Sequence, residues 1–133
     1  MHLTELEERM INAVNQWRAE RTLFPLRVDF QLVEEARRSV RYARHQIRGK
    51  WVWERMARLG FQGHCTDNVA RGQLTPEEAV ECWGDEGPTS VGHNKQMRGL
   101  MKINDEWVDR QFNLIGAAID DQKYLVIFGR RTD

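Results

Sequence analysis

A chain of 133 residues suits one domain spanning 1–133, long enough to bury most of its unfolded apolar surface without staples. Its composition, 41% hydrophobic and 30% charged, excludes global disorder, and a formal net charge of zero supplies no field toward nucleic acid or an anionic membrane. No window approaches the roughly 18 consecutive apolar residues of a membrane span, and the N-terminal residues lack the basic and apolar regions of a signal peptide.

Thr4 and Glu7 form a capping box, and Leu6, Met10, Val14 and Trp17 recur at helical spacing, which predicts a first helix from about Glu5 to Arg21. Pro25 ends that region by pushing Phe24 out of helical conformation. Asp29 is then placed to cap a second helix carrying Leu32, Val33, Ala36, Val40 and Ala43 and broken by Gly49. A short third helix around Val52 to Leu59 should end at Gly60, a residue suited to the left-handed position after a helix. Thr75, Pro76 and Glu78 supply an N-cap, a first-turn proline and a closing glutamate for a helix from Pro76 to about Trp83. Gly84, Gly87, Pro88 and Gly92 then read as an irregular loop, followed by one turn at His93 to Met97. Three strands follow, Val108 to Phe112, Leu114 to Ile119 and Tyr124 to Phe128, the last two joined by a short polar loop that implies antiparallel pairing. Helices first and a strand meander last make an α+β layered domain.

Two cysteines, Cys65 and Cys82, cannot build a disulfide framework and match no zinc spacing. They read as small buried thiols in a reducing compartment, with a single Cys65–Cys82 bridge as the other reading. Charge is unevenly placed: eight basic residues face one acid, Glu54, between Arg37 and Arg58, whereas Glu77 to Glu86 is acidic. Interleaved with Tyr42, Trp51 and Trp53, the basic stretch is competent to bind nucleic-acid phosphates or an anionic lipid surface. Arg37, Arg41, Arg44 and Arg48 also repeat at helical spacing, as the solvated face of a helix would, and this bland reading is preferred. Nucleic acid is therefore not the expected partner. Trp51 and Trp53 lie two apart, so at least one is expected to pack inward.

In this order the pieces resemble the CAP superfamily, the SCP/TAPS or cysteine-rich secretory protein-like family, in a divergent bacterial-type form. Asn15 and Arg18 before Pro25, Leu26 and Asp29 are similar to the family's start, and Ala36 and Arg37 continue the likeness. Trp53 to Met56 with Leu59-Gly60-Phe61 resembles the segment bacterial members place ahead of an acid–Asn signature, which Thr66 to Ala70 resembles in turn. The family usually has Glu where this chain has Asp67, one methylene shorter. Thr75 to Trp83 looks like the central helix, and Gly92-His93-Asn94 looks like the closing Gly-His motif. The resemblance implies a three-layer α-β-α sandwich with an open cleft in which two His and two acids gather, and where some members bind zinc or another divalent cation.

Carried onto this chain, the resemblance implies Asp67, Glu86 and His93 as cleft residues, with His45 as the first histidine and His64 as its competitor. Strand alternation would send His64 and Asp67 to opposite faces, which favours His45. Imidazole nitrogens with carboxylate oxygens suit zinc, whose open position lowers the pKa of a bound water. Alternatively, Glu86 and His93 only brace the glycine-rich loop by hydrogen bonds. The leading expectation is a non-catalytic binding domain whose cleft accepts a divalent ion, a small ligand such as a lipid, or a protein partner. A metal-dependent hydrolase using Asp67 or Glu86 as base, and an interaction module using the basic surface, are the alternatives. Family members are largely exported while this chain shows no leader, so localisation stays open, as does oligomeric state.

Overall fold

The computed structural model describes residues 2–86 and 92–132, so Gly87 and Pro88 of the expected loop lie outside the described residues. Helix α1 (Glu5–Ala19) begins at the expected capping box, in which the Glu7 N–H donates to Thr4 Oγ1 at 3.1 Å and the Thr4 N–H donates to Glu7 Oε1 at 2.9 Å. Strand β1 (Arg27–Val28) follows, and α2 (Phe30–Ser39) starts on the Asp29 cap. A hairpin of β2 (Gln46–Ile47) and β3 (Lys50–Trp51) leads into α3 (Val52–Arg58), and Gly60 adopts φ +88°, as its place after the helix requires. Next come β4 (Gly63–Arg71), α4 (Pro76–Gly84) and α5 (His93–Met97), then β5 (Leu100–Ile103) with β6 (Glu106–Asp109), and finally β7 (Leu114–Asp120) with β8 (Lys123–Arg131).

The main sheet runs β1-β7-β8-β4, with β1 parallel to β7 and the other pairs antiparallel, so β8 is interior and β4 is an edge. Period-two alternation divides its side chains between two cores. Ile115, Ala117, Tyr124, Val126 and Phe128 pack against Met10, Val14 and Trp17 of α1 and Val80 and Trp83 of α4. Leu114, Ala118, Leu125 and Ile127 pack on the other face against Leu32 and Ala36 of α2 and Val52 and Met56 of α3. Helices thus cover both faces, and the layered α+β architecture is the expected one. Gly116 allows the second layer to close: a Cβ there would sit 2.4 Å from the backbone of both Leu32 and Val33.

Four local readings are corrected. The second helix does not continue to Gly49; it ends at Ser39, passes through a 3₁₀ turn at Val40–Tyr42, and stops at Ala43 with φ +45°. Side chains from elsewhere complete its C-terminal carbonyls, since Lys123 Nζ donates to Arg41 O and Arg71 Nη2 donates to Tyr42 O. Arg41, Arg44 and Arg48 therefore leave the helix, and no solvated arginine stripe forms. Neither Trp51 nor Trp53 enters the core: Val52 between them takes that position, and the two rings stack on each other at 5.0 Å, each more than a third exposed. The strand expected from Val108 lies at Glu106–Asp109 and pairs with β5 rather than extending the main sheet. Between β6 and β7 the chain turns at Gln111, φ +52°, and the Arg110 N–H donates to Gly99 O.

Candidate functional site

The edge strand β4 carries the polar residues Thr66, Asp67 and Asn68, all at most 4% exposed. Asp67 shares its face with Cys65 and Val69 toward α2 and α3, while Thr66 and Asn68 point toward α5. Because β4 is an edge, side chains from both faces meet around it. His45, just beyond the left-handed Ala43, places Nδ1 2.7 Å from Asp67 Oδ1. On the other side, His93 at the start of α5 places Nδ1 2.9 Å from Glu86 Oε1. The two imidazoles lie 6.2 Å apart between centroids with 27° between their planes, and the Trp83 ring stands 6.0 Å from His93.

Each carboxylate thus engages a histidine Nδ1, and among the described residues neither Nε2 has a hydrogen-bond partner. The hydrogen bond that His45 donates to Asp67, with the charge of that carboxylate, raises the His45 pKa above the usual value against the opposing effect of burial. Burial lowers that of His93, helped by the charge of His45 and opposed by Glu86. Asp67 Oδ2 is buried without a partner.

Asn68 and Gln96 fasten α5 to the sheet edge. Asn68 Nδ2 donates to His93 O at 3.0 Å, and Gln96 Nε2 donates to Asp67 O at 2.7 Å and Asn68 Oδ1 at 2.6 Å. Gln96 Oε1 accepts from Thr66 Oγ1 at 2.5 Å. From the far side, Arg18 Nη1 donates to Met97 O, tying α1 to the end of α5. Asn15 clamps Leu26 with two hydrogen bonds, so both polar residues of the opening motif serve the frame.

Over this polar floor opens a cleft of about 550 Å³, walled on one side by Trp51 and Trp53 and on the other by Trp107, Lys102, Asn104 and Asp105 of the β5–β6 hairpin. Asn104 and Asp105 form its two-residue turn, with φ of +50° and +64°. Gly92 is required on two counts: φ is +99°, and a Cβ would meet the Trp107 ring at 2.2 Å. The structure therefore brings His45, Asp67 and His93 into the cleft, with Glu86 behind His93. His64 pairs in register with Arg130 and does not line it. Sequence reasoning missed Gln96 and the hairpin residues. Gln96 stands three positions from His93 on one helix, a spacing that gives a common face and was the available signal. For Trp107 the sequence offers none. Cys65 is buried, Cys82 is exposed, and both are free thiols.

The family model for CAP, the cysteine-rich secretory protein family, matches residues 11–123. The chain belongs to the CAP family. Solved structures agree at the level of fold. An outer surface protein from Borrelia burgdorferi superposes with a TM-score of 0.72 at 18% identity, covering 94% of this chain and 92% of that one. An extracellular protein containing a SCP domain from Bacillus anthracis gives 0.75 at 20% identity, covering 98% of this chain and 45% of that one. Venom allergen-like protein 4 from Schistosoma mansoni gives 0.65 at 14% identity, covering 98% and 91%. No curated protein matches the chain.

Proposed function

We propose that this CAP domain is a non-catalytic binding module whose cleft takes a small ligand and offers a weak, exchangeable position for a divalent cation. One observation carries the reading: two carboxylate–imidazole pairs stand side by side on the cleft floor, and among the described residues neither Nε2 atom has a hydrogen-bond partner. A carboxylate on Nδ1 is the arrangement that fixes a metal-binding imidazole's orientation and raises its basicity. Among the described residues no three His, Cys, Asp or Glu side chains are grouped to hold an ion. The donor set therefore fits an open position on His45 and His93 and does not fit a closed structural zinc site. When bound, a cation would supply Lewis acidity toward an anionic or carbonyl oxygen of the ligand.

The hydrolase reading is less well supported. Asp67 is committed to His45 Nδ1 with its other oxygen buried, and Glu86 Oε1, also buried, faces His93 Nδ1 rather than the open cleft. The three cleft tryptophans instead suit a ligand with an apolar face. Thermal unfolding of chelator-stripped protein, titrated with zinc, magnesium or calcium, tests the cation position, because native-state binding raises the midpoint. Stabilisation by one ion that is lost in His93→Ala is the expected result, and no shift with any ion would reject the position.

A further inference from the structure

A second concavity, of about 640 Å³, opens away from the cleft among α2, the 3₁₀ turn, the β2–β3 hairpin and α3. Seven cationic side chains line it against one carboxylate, Glu35. That carboxylate is saturated: Ser39 Oγ donates at 2.7 Å, Arg55 Nε at 2.9 Å and Arg38 Nε at 3.1 Å, and it is 4% exposed. Arg37 is likewise paired, to Glu7. Among the described residues, Arg41, Arg48, Lys50 and Arg58 have no acidic partner, and Arg55 keeps a buried Nη2 without a hydrogen bond. Gathering cations around one hollow without counter-charge is unfavourable unless something anionic enters it.

Backbone geometry points the same way. Arg48 and Gly49 are the two-residue turn of the β2–β3 hairpin, with φ of +53° and +76°. Such turns favour Asn at the first position, and a long side chain there concedes local stability. The position places one more guanidinium on the rim of the hollow. Tyr42 adds a hydroxyl, which accepts from Arg41 Nη2 at 2.6 Å and can donate its own proton outward.

We infer that this concavity binds a multiply charged phosphate group, presented either by a soluble phosphorylated small molecule or by the headgroup of an anionic phospholipid. Guanidinium forks match phosphate oxygens two at a time, and three of the four unpaired cations are arginines. A hollow of this size has room for a headgroup-sized anion, whereas a continuous nucleic-acid strand calls for an extended basic track.

The test uses calorimetry with inorganic tripolyphosphate, and flotation with phosphatidylcholine vesicles doped with phosphatidic acid or, as a control, phosphatidylserine. The key variant is Arg48→Asn with Lys50→Gln, which relieves the turn and should melt no lower than the parent. Arg27→Gln with Arg98→Gln removes the same charge elsewhere. Expected is one-site tripolyphosphate or phosphatidic acid binding, weakened at least tenfold by the first pair and less than twofold by the second. Tripolyphosphate binding alone assigns a soluble ligand, and vesicle binding that requires phosphatidic acid assigns a lipid. Equal losses in both pairs, or no binding of either probe at about 50 mM salt, would overturn the inference.

Discussion

The imidazoles of His45 and His93 lie 6.2 Å apart, yet their surroundings move their proton affinities in opposite directions. Hydrogen bonding to Asp67 and its charge raise His45 above 6.5, whereas burial, with the charge of His45, lowers His93 below 6.5. A raised histidine stabilises the fold fully below 6.5 and loses that contribution as pH rises through its folded value. A lowered one costs stability as pH falls from 6.5 through its folded value. Between the two folded values the cleft should therefore hold a protonated His45 beside a neutral His93. Titration of the ring Cε1–H resonances should place the His45 midpoint above that of His93, and Asp67→Asn should bring it down. The reverse order would refute this account of the pair.

The two thiols should differ as sharply. Burial, with the charges of Asp67 and Asp29, pushes the Cys65 pKa up to about 12, and only a thiolate reacts readily. Cys82 is exposed. Native protein should consume one equivalent of a disulfide reagent, and denatured protein two. Rapid native labelling of both would mean that the β4 edge opens easily.

How far the sequence reached depends on what holds each element. Helices fixed by local caps, at Thr4, Asp29 and Thr75, were legible because the signal lies within four residues. The end of α2 was not, because the groups that complete its carbonyls, Arg71 and Lys123, lie far along the chain. Strand β4 was hardest to see as a strand. Its Thr66, Asp67 and Asn68 are buried by hydrogen bonds to α5 and His45 rather than by apolar contact, so no hydrophobic alternation marks them. The same substitution of polar contacts for apolar ones hid Gln96, although the motif residues it fastens were conspicuous.

Gly116, in the middle of β7, should not tolerate even a methyl side chain. A methyl group there meets the backbone of α2 at Leu32 and Val33, which no side-chain rotation relieves. Gly116→Ala should cost about 3 kcal/mol, within the range for overpacked cores. Denaturant unfolding measures it, and a loss under about 0.5 kcal/mol would show that α2 lifts freely from the sheet.

Gln96 joins Thr66, Asp67 and Asn68 by three hydrogen bonds, and with Asn68 it holds the backbone that positions His93. Gln96→Glu keeps the shape and the acceptor for Thr66 but removes both donors, setting a carboxylate against the Asp67 carbonyl and the Asn68 side-chain oxygen. Leaving two buried acceptors without donors costs about 2–4 kcal/mol in sum, partly recovered if the Asn68 amide turns over. Because the loss falls at the junction of α5 with β4, hydrogen exchange should rise first in His93–Met97 and along the β4 edge, while the β7–β8 hairpin keeps its protection. A uniform increase across the sheet would mean that Gln96 supports the whole fold rather than the cleft floor.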